Sequence, residues 1–153
     1  MEHETAFWVI NFIVLPAWAL LVFAPNWRWT HRIVQTAFIP LIMVLIYIYY
    51  ISWTLFFGGG AEGGGFGGLN EVMVAFTSPV GMLAGWTHYL AFDLFVGMWI
   101  ARDGKRRDIA HVWIVPCLLL TWIFGPVGLG LYLVLRKLFK KGSWALEETH
   151  TTA

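Results

Sequence analysis

Charge is what this sequence has least of. Asp, Glu, Lys and Arg make up 12% of its 153 residues, against about 25% in a soluble domain. The net charge of +1 offers no basic stripe, and no nucleic-acid motif occurs, so a nucleic-acid partner is not expected. There is one cysteine, Cys117, which excludes an internal disulfide and a thiolate zinc cluster. The amino-terminal Met-Glu-His-Glu is acidic. Secretory leaders are basic and organellar transit peptides are rich in Arg and Ser. The first hydrophobic stretch is therefore expected to be retained, as in a bacterial inner-membrane protein or a mature form. A phosphate loop is missing too, since the glycine run Gly58–Gly68 has no Lys. Neither a Ser-His-Asp arrangement, a nucleotide fingerprint nor a carboxylate pair is visible.

Apolar residues take the space that charge leaves. They reach 59%, and the mean hydropathy is +0.68. Four stretches approach the ~20 residues that cross roughly 30 Å of hydrocarbon. They are Ala6–Ala24, Ile33–Phe57, Gly81–Ala101 and His111–Arg136. Pro16, Pro40, Pro116 and Pro126 fall inside them, which spanning helices tolerate when neighbours satisfy the freed carbonyls. The run Phe124–Gly130, with Pro126 and three glycines, predicts a kink, and kinks between helices favour cavities. The expected architecture is all-α, an integral membrane four-helix bundle with a kinked fourth helix, in one transmembrane domain. Gly58–Gly68 reads as a flexible loop, Leu69–Val80 as a short interfacial helix, and residues 137–153 as a polar tail. Trp8, Trp27, Trp29, Trp53, Trp99 and Trp144 lie near span ends, where indole rings anchor at the interface.

Four spans put the turns Asn26–Arg32 and Arg102–Ala110 on one side, with six Lys and Arg between them. The positive-inside rule makes that side cytoplasmic and leaves both termini outside. The cluster Arg136, Lys137, Lys140 and Lys141 then lies on the wrong side.

Asp93 is the most informative residue. It falls about 12 residues into the third span, roughly 18 Å along it, where a carboxylate is costly in lipid and marks a functional candidate. The competing reading is a hydrogen bond between helices. Tyr89, four residues earlier, and Trp86, seven earlier, share its face. Gly85 and Gly97 extend that stripe and allow close helix approach. His88 lies about 140° around the helix from Asp93 and roughly 7.5 Å along it, so the two border a wide pocket at most. His88 and His111 differ in depth by about 20 Å on straight spans, which opposes haem ligation by both, and no third ligand points to a metal. Arg102 and Asp103 close the third span. They read as an interfacial pair, or Arg102 as the contact for a polar end group.

The stretch Gly85-Trp-Thr-His-Tyr-Leu-Ala-Phe-Asp-Leu-Phe-Val-Gly-Met-Trp-Ile-Ala-Arg-Asp103, with Val115-Pro-Cys-Leu-Leu-Leu-Thr121 and Phe124-Gly-Pro-Val-Gly128, closely resembles the abscisic acid deficient 4-like family. The resemblance runs from the first span to Arg136. Plant members are associated with neoxanthin synthesis from violaxanthin in plastid membranes. The resemblance therefore implies a multi-pass protein of a bacterial inner or photosynthetic membrane that acts on a carotenoid or another isoprenoid lipid. It implies a redox-neutral isomerisation or epoxide opening that needs one acid, one base and no cofactor. Asp93 and His88 are the implied catalytic groups, with Asp93 protonated as the acid and His88 or Tyr89 supplying or orienting the second group. Trp86, Tyr89, Arg102, Gly97 and Pro126 are the implied substrate contacts. A non-catalytic pigment-binding or assembly subunit of a larger complex, or a homo-oligomer, is the competing expectation.

Overall fold

A computed structural model describes residues 2–142 and Trp144. Most of the tail expected over 137–153 lies outside the described residues. Within them, the chain forms six α-helices, one π-helical turn and no strand. The helices are α1 (Glu2–Phe23), α2 (Phe38–Phe56), α3 (Leu69–Ala75), α4 (Pro79–Arg106), α5 (His111–Phe124) and α6 (Pro126–Leu138). The π-turn, Thr30–Val34, precedes α2.

Two segments are long and apolar enough to cross a membrane, Glu2–Phe23 and Thr30–Phe56. The helix α1 passes through Pro16 unbroken. Pro40 sits in the first turn of α2, where its missing N–H costs no intrahelical bond. With 28 residues, α4 is the longest helix, but it is not among the two most apolar segments, because His88 and Asp93 interrupt it.

The fourth expected span is corrected. Residues 111–136 do not form one kinked helix. Gly125 adopts φ +48°, a conformation that glycine enters without the clash of a Cβ, and the chain stops and restarts there. The result is α5 and α6, packed on each other. The Trp113 ring at the start of α5 lies 5.6 Å from the Phe139 ring just past α6, so the pair is antiparallel. At 1.5 Å per residue the two measure about 21 and 20 Å, short of the roughly 30 Å needed to cross.

The chain divides into two compact units. The first takes the residues through Leu15 and Ala37–Phe92; the second takes Pro16–Thr36 and Asp93 onward. In the first, the glycine loop is tied to its surroundings. Ser78 Oγ donates to the Gly59 carbonyl at 2.5 Å, and Gly67 N–H donates to the Glu71 carboxylate at 2.9 Å. In the second, Thr30 Oγ1 donates to the Ala24 carbonyl at 2.6 Å and closes the turn before the π-helix. Trp8, Trp27, Trp29, Trp53 and Trp144 are exposed. Trp99 instead packs edge-on against Tyr132 at 5.6 Å.

Candidate functional site

In the first unit, His88 stands on α4 one turn from Phe92, with their rings 4.6 Å apart. On its other side is Tyr47 of α2, at 5.6 Å. His88 and Tyr47 line a cavity of about 240 Å³ whose other walls include Phe66, Phe76 and Gly85. The histidine itself is exposed, so the cavity opens at the unit's surface. Trp86 packs between Phe7 and Tyr89, 5.4 Å from each ring, and its buried Nε1 makes no hydrogen bond. Trp86 and Tyr89 therefore form an aromatic stack beside α1 and do not line the His88 cavity. Tyr47 was not among the sequence candidates, because nothing in an apolar run with three tyrosines between positions 47 and 50 singles it out.

The remaining candidates belong to the second unit. Asp93 is buried. A Cβ built on Gly125 would lie 2.7 Å from its Oδ1, so the carboxylate sits at the start of α6. A negative charge is favoured at a helix N-terminus. Pro126 is the first residue of α6, where its missing N–H is an orphan in any case. Gly97 faces Trp18, whose Cη2 would be 2.5 Å from an added Cβ. The sequence expectation of close approach at Gly97 is met by an indole ring from α1.

Arg102 and Asp103 do not pair, which corrects their reading as an interfacial couple. Asp103 is 1% exposed. Its Oδ2 accepts from Tyr132 Oη at 2.5 Å, Arg107 Nε at 2.8 Å and Arg136 Nη1 at 3.1 Å, and its Oδ1 accepts from Arg106 Nη2 at 3.3 Å. Burial alone would raise the carboxyl pKa. The bonds from Tyr132, Arg107 and Arg136 outweigh burial and hold it below the ordinary 3.8. The spacing of Arg106 and Arg107, three and four residues after Asp103, is the signal that reveals part of this cluster. Arg102 takes no share in it and lines a separate polar pocket with His31, Gln35, Lys105 and His111.

No group of three or more His, Cys, Asp or Glu that could hold a metal occurs among the described residues. Residues 5–132 match the ABA DEFICIENT 4-like family. The chain belongs to that family. Protein ABA DEFICIENT 4, chloroplastic, of Arabidopsis thaliana is 29% identical over 123 residues, covering 76% of this chain and 53% of that protein. The chain thus spans about half the length of that relative. No solved structure matches. The ABA DEFICIENT 4-like segment includes every candidate site residue and both Asp103 and Tyr132, but ends before Arg136.

Proposed function

We propose that this chain is a multi-pass protein of a bacterial inner or photosynthetic membrane that modifies a carotenoid, by redox-neutral isomerisation or epoxide opening of a xanthophyll. Membership of the family supports the substrate class. Membrane embedding is supported by the outward faces of the two apolar segments. Only 28% and 17% of their most apolar windows are buried, whereas the core helix of a soluble domain is mostly buried.

One observation carries the chemical reading. His88 is an imidazole on the wall of a mostly apolar, aromatic cavity, with the Tyr47 ring beside it. Its ~240 Å³ is below the ~300–1,000 Å³ of pockets for drug-sized ligands. It suits one terminal ring of a xanthophyll, with the polyene lying outside. Opening a 5,6-epoxide to an allene is an isomerisation. A proton goes to the epoxide oxygen, the C–O bond breaks, and a proton leaves the adjacent polyene carbon. In this reading His88 takes the proton from carbon and the Tyr47 hydroxyl donates to the epoxide oxygen. Asp93, the acid implied by family resemblance, contacts the start of α6 instead.

The test is conversion of violaxanthin by the purified chain in liposomes. Turnover that falls in His88→Phe and Tyr47→Phe while Asp93→Asn stays active supports this assignment. Normal turnover in His88→Phe would remove His88 from the chemistry, and loss in Asp93→Asn alone would restore Asp93 as the acid.

A second reading rests on a different cavity. A groove of about 700 Å³ on α1 and α2 is lined by Val9, Ile10, Leu45, Ile46 and Tyr49. It is large and almost wholly apolar, and it suits holding a lipid or pigment without acting on it. Stoichiometric pigment retained through purification, with no turnover, would favour a binding or assembly subunit, as a homo-oligomer or within a larger complex.

A further inference from the structure

The last two turns of α4 have two polar faces with different fates. Asp103, Arg106 and Arg107, spaced by three and four, share one face and neutralise one another. Arg102 and Lys105, three apart, share another and line a cavity of about 230 Å³. No carboxylate pairs with Arg102 or Lys105 among the described residues. The single acid on the cavity wall, Asp108, is 99% exposed at its side chain and faces Lys141 at 3.6 Å.

Two buried atoms in this cavity wall lack partners. Arg102 Nε is a donor without an acceptor, and Gln35 Oε1 is an acceptor without a donor. Buried polar groups are ordinarily satisfied, and each exception asks for a cause. His111 stands beside them with its ring fixed, because Nε2 donates to the Val22 carbonyl at 2.9 Å. The uncapped start of α5 adds its positive end to the same wall. Pro25, Asn26, Ala101, Ile109 and Ile114 also line it.

We propose that this pocket binds a phosphate-bearing group that also carries a hydroxyl. The phosphate oxygens accept from Arg102 and Lys105, and the hydroxyl donates to Gln35. The cavity volume fits a headgroup and not a xanthophyll. The shared chemistry has two sources, the headgroup of an anionic phospholipid at the membrane surface or phosphate from solution. Unpaired basic pockets at helix ends are suited to the first, and the guanidinium fork suits phosphate in either.

The experiment uses the full chain in detergent. Native mass spectrometry reads retention of phosphatidylglycerol against phosphatidylcholine, and thermal unfolding is followed during titration with inorganic phosphate. Selective retention of phosphatidylglycerol, about tenfold weaker in Arg102→Gln, supports the lipid source. A stabilising phosphate shift that is lost in Arg102→Gln supports the soluble source. Equal retention of both lipids by the unmutated chain with no phosphate shift overturns the proposal, whether or not the variant folds. Equal phosphatidylglycerol retention by the unmutated chain and a folded Arg102→Gln or Gln35→Leu protein overturns it as well. Circular dichroism checks the folding of each variant.

Discussion

The two units treat their titratable groups in opposite ways. In the first, His88 is exposed, with the rings of Tyr47 and Phe92 beside it. In the second, Asp103 is 1% exposed and is held by three guanidinium groups and a phenol. A group whose hydrogen bonds are all made within the fold has little left for a ligand. Such a cluster fixes conformation, and removing one member strands the rest. An exposed group beside ring faces contributes little to stability and remains open to a reactant. The comparison therefore assigns stability to the ionic cluster and leaves the proposed chemistry to the aromatic cavity.

The sharpest way to break that division is Asp103→Asn. It leaves Arg136, 1% exposed, without its counter-charge, and a loss of about 3–5 kcal/mol is expected. Thermal unfolding in detergent should show a large drop or failure to accumulate folded protein. A wild-type unfolding temperature would transfer the structural role elsewhere. The second test is His88→Phe, expected to lower violaxanthin turnover by about 10²–10⁴-fold with little change in unfolding temperature. A large stability loss there would make His88 a structural residue and erase the contrast.

A smaller effect is expected from Gly97→Leu. The new side chain must displace Trp18, and overpacking of this kind costs about 1–3 kcal/mol. Adding Trp18→Ala should recover part of the loss, which a double-mutant cycle measures. The smallest effect is in pH. The folded pKa of Asp103 lies below its ordinary 3.8, so the stability it contributes is complete above that value. It is lost as pH falls through the lower folded pKa. Between pH 7 and about pH 4 this group should leave the unfolding temperature unchanged. Below that range the unmutated chain should lose stability in a step that Asp103→Asn lacks.

Helix type and the aromatic character of the chain were legible because long apolar runs leave few alternatives to helix. The break at Gly125 was legible only as a softening. Proline and glycine announce a bend, but its angle depends on how α6 packs on α5. Asp93 was recognised as buried from its place in the third apolar run. Its neighbour was not, because Gly125 is 32 residues away in sequence and has no side chain to announce the contact. The Asp103 cluster was half visible. The Arg106 and Arg107 spacing is local, whereas Tyr132 and Arg136 reach Asp103 only through the hairpin. Tyr47 and Gln35 carried no local signal at all.

The reversal at Gly125 decides where α6 ends. A single fourth crossing would carry Arg136, Lys137, Lys140 and Lys141 away from the Arg102–Ala110 turn. The hairpin brings them back: Arg136 reaches Asp103, and Arg107 Nη1 donates to the Lys141 carbonyl at 3.0 Å. In the membrane-embedded reading proposed above, α6 then ends on the side of the Arg102–Ala110 turn. A reporter fused after α6 would then share a compartment with the Arg102–Ala110 turn. All the basic clusters between Arg28 and Lys141 would face the same aqueous phase, and the conflict in the charge distribution disappears.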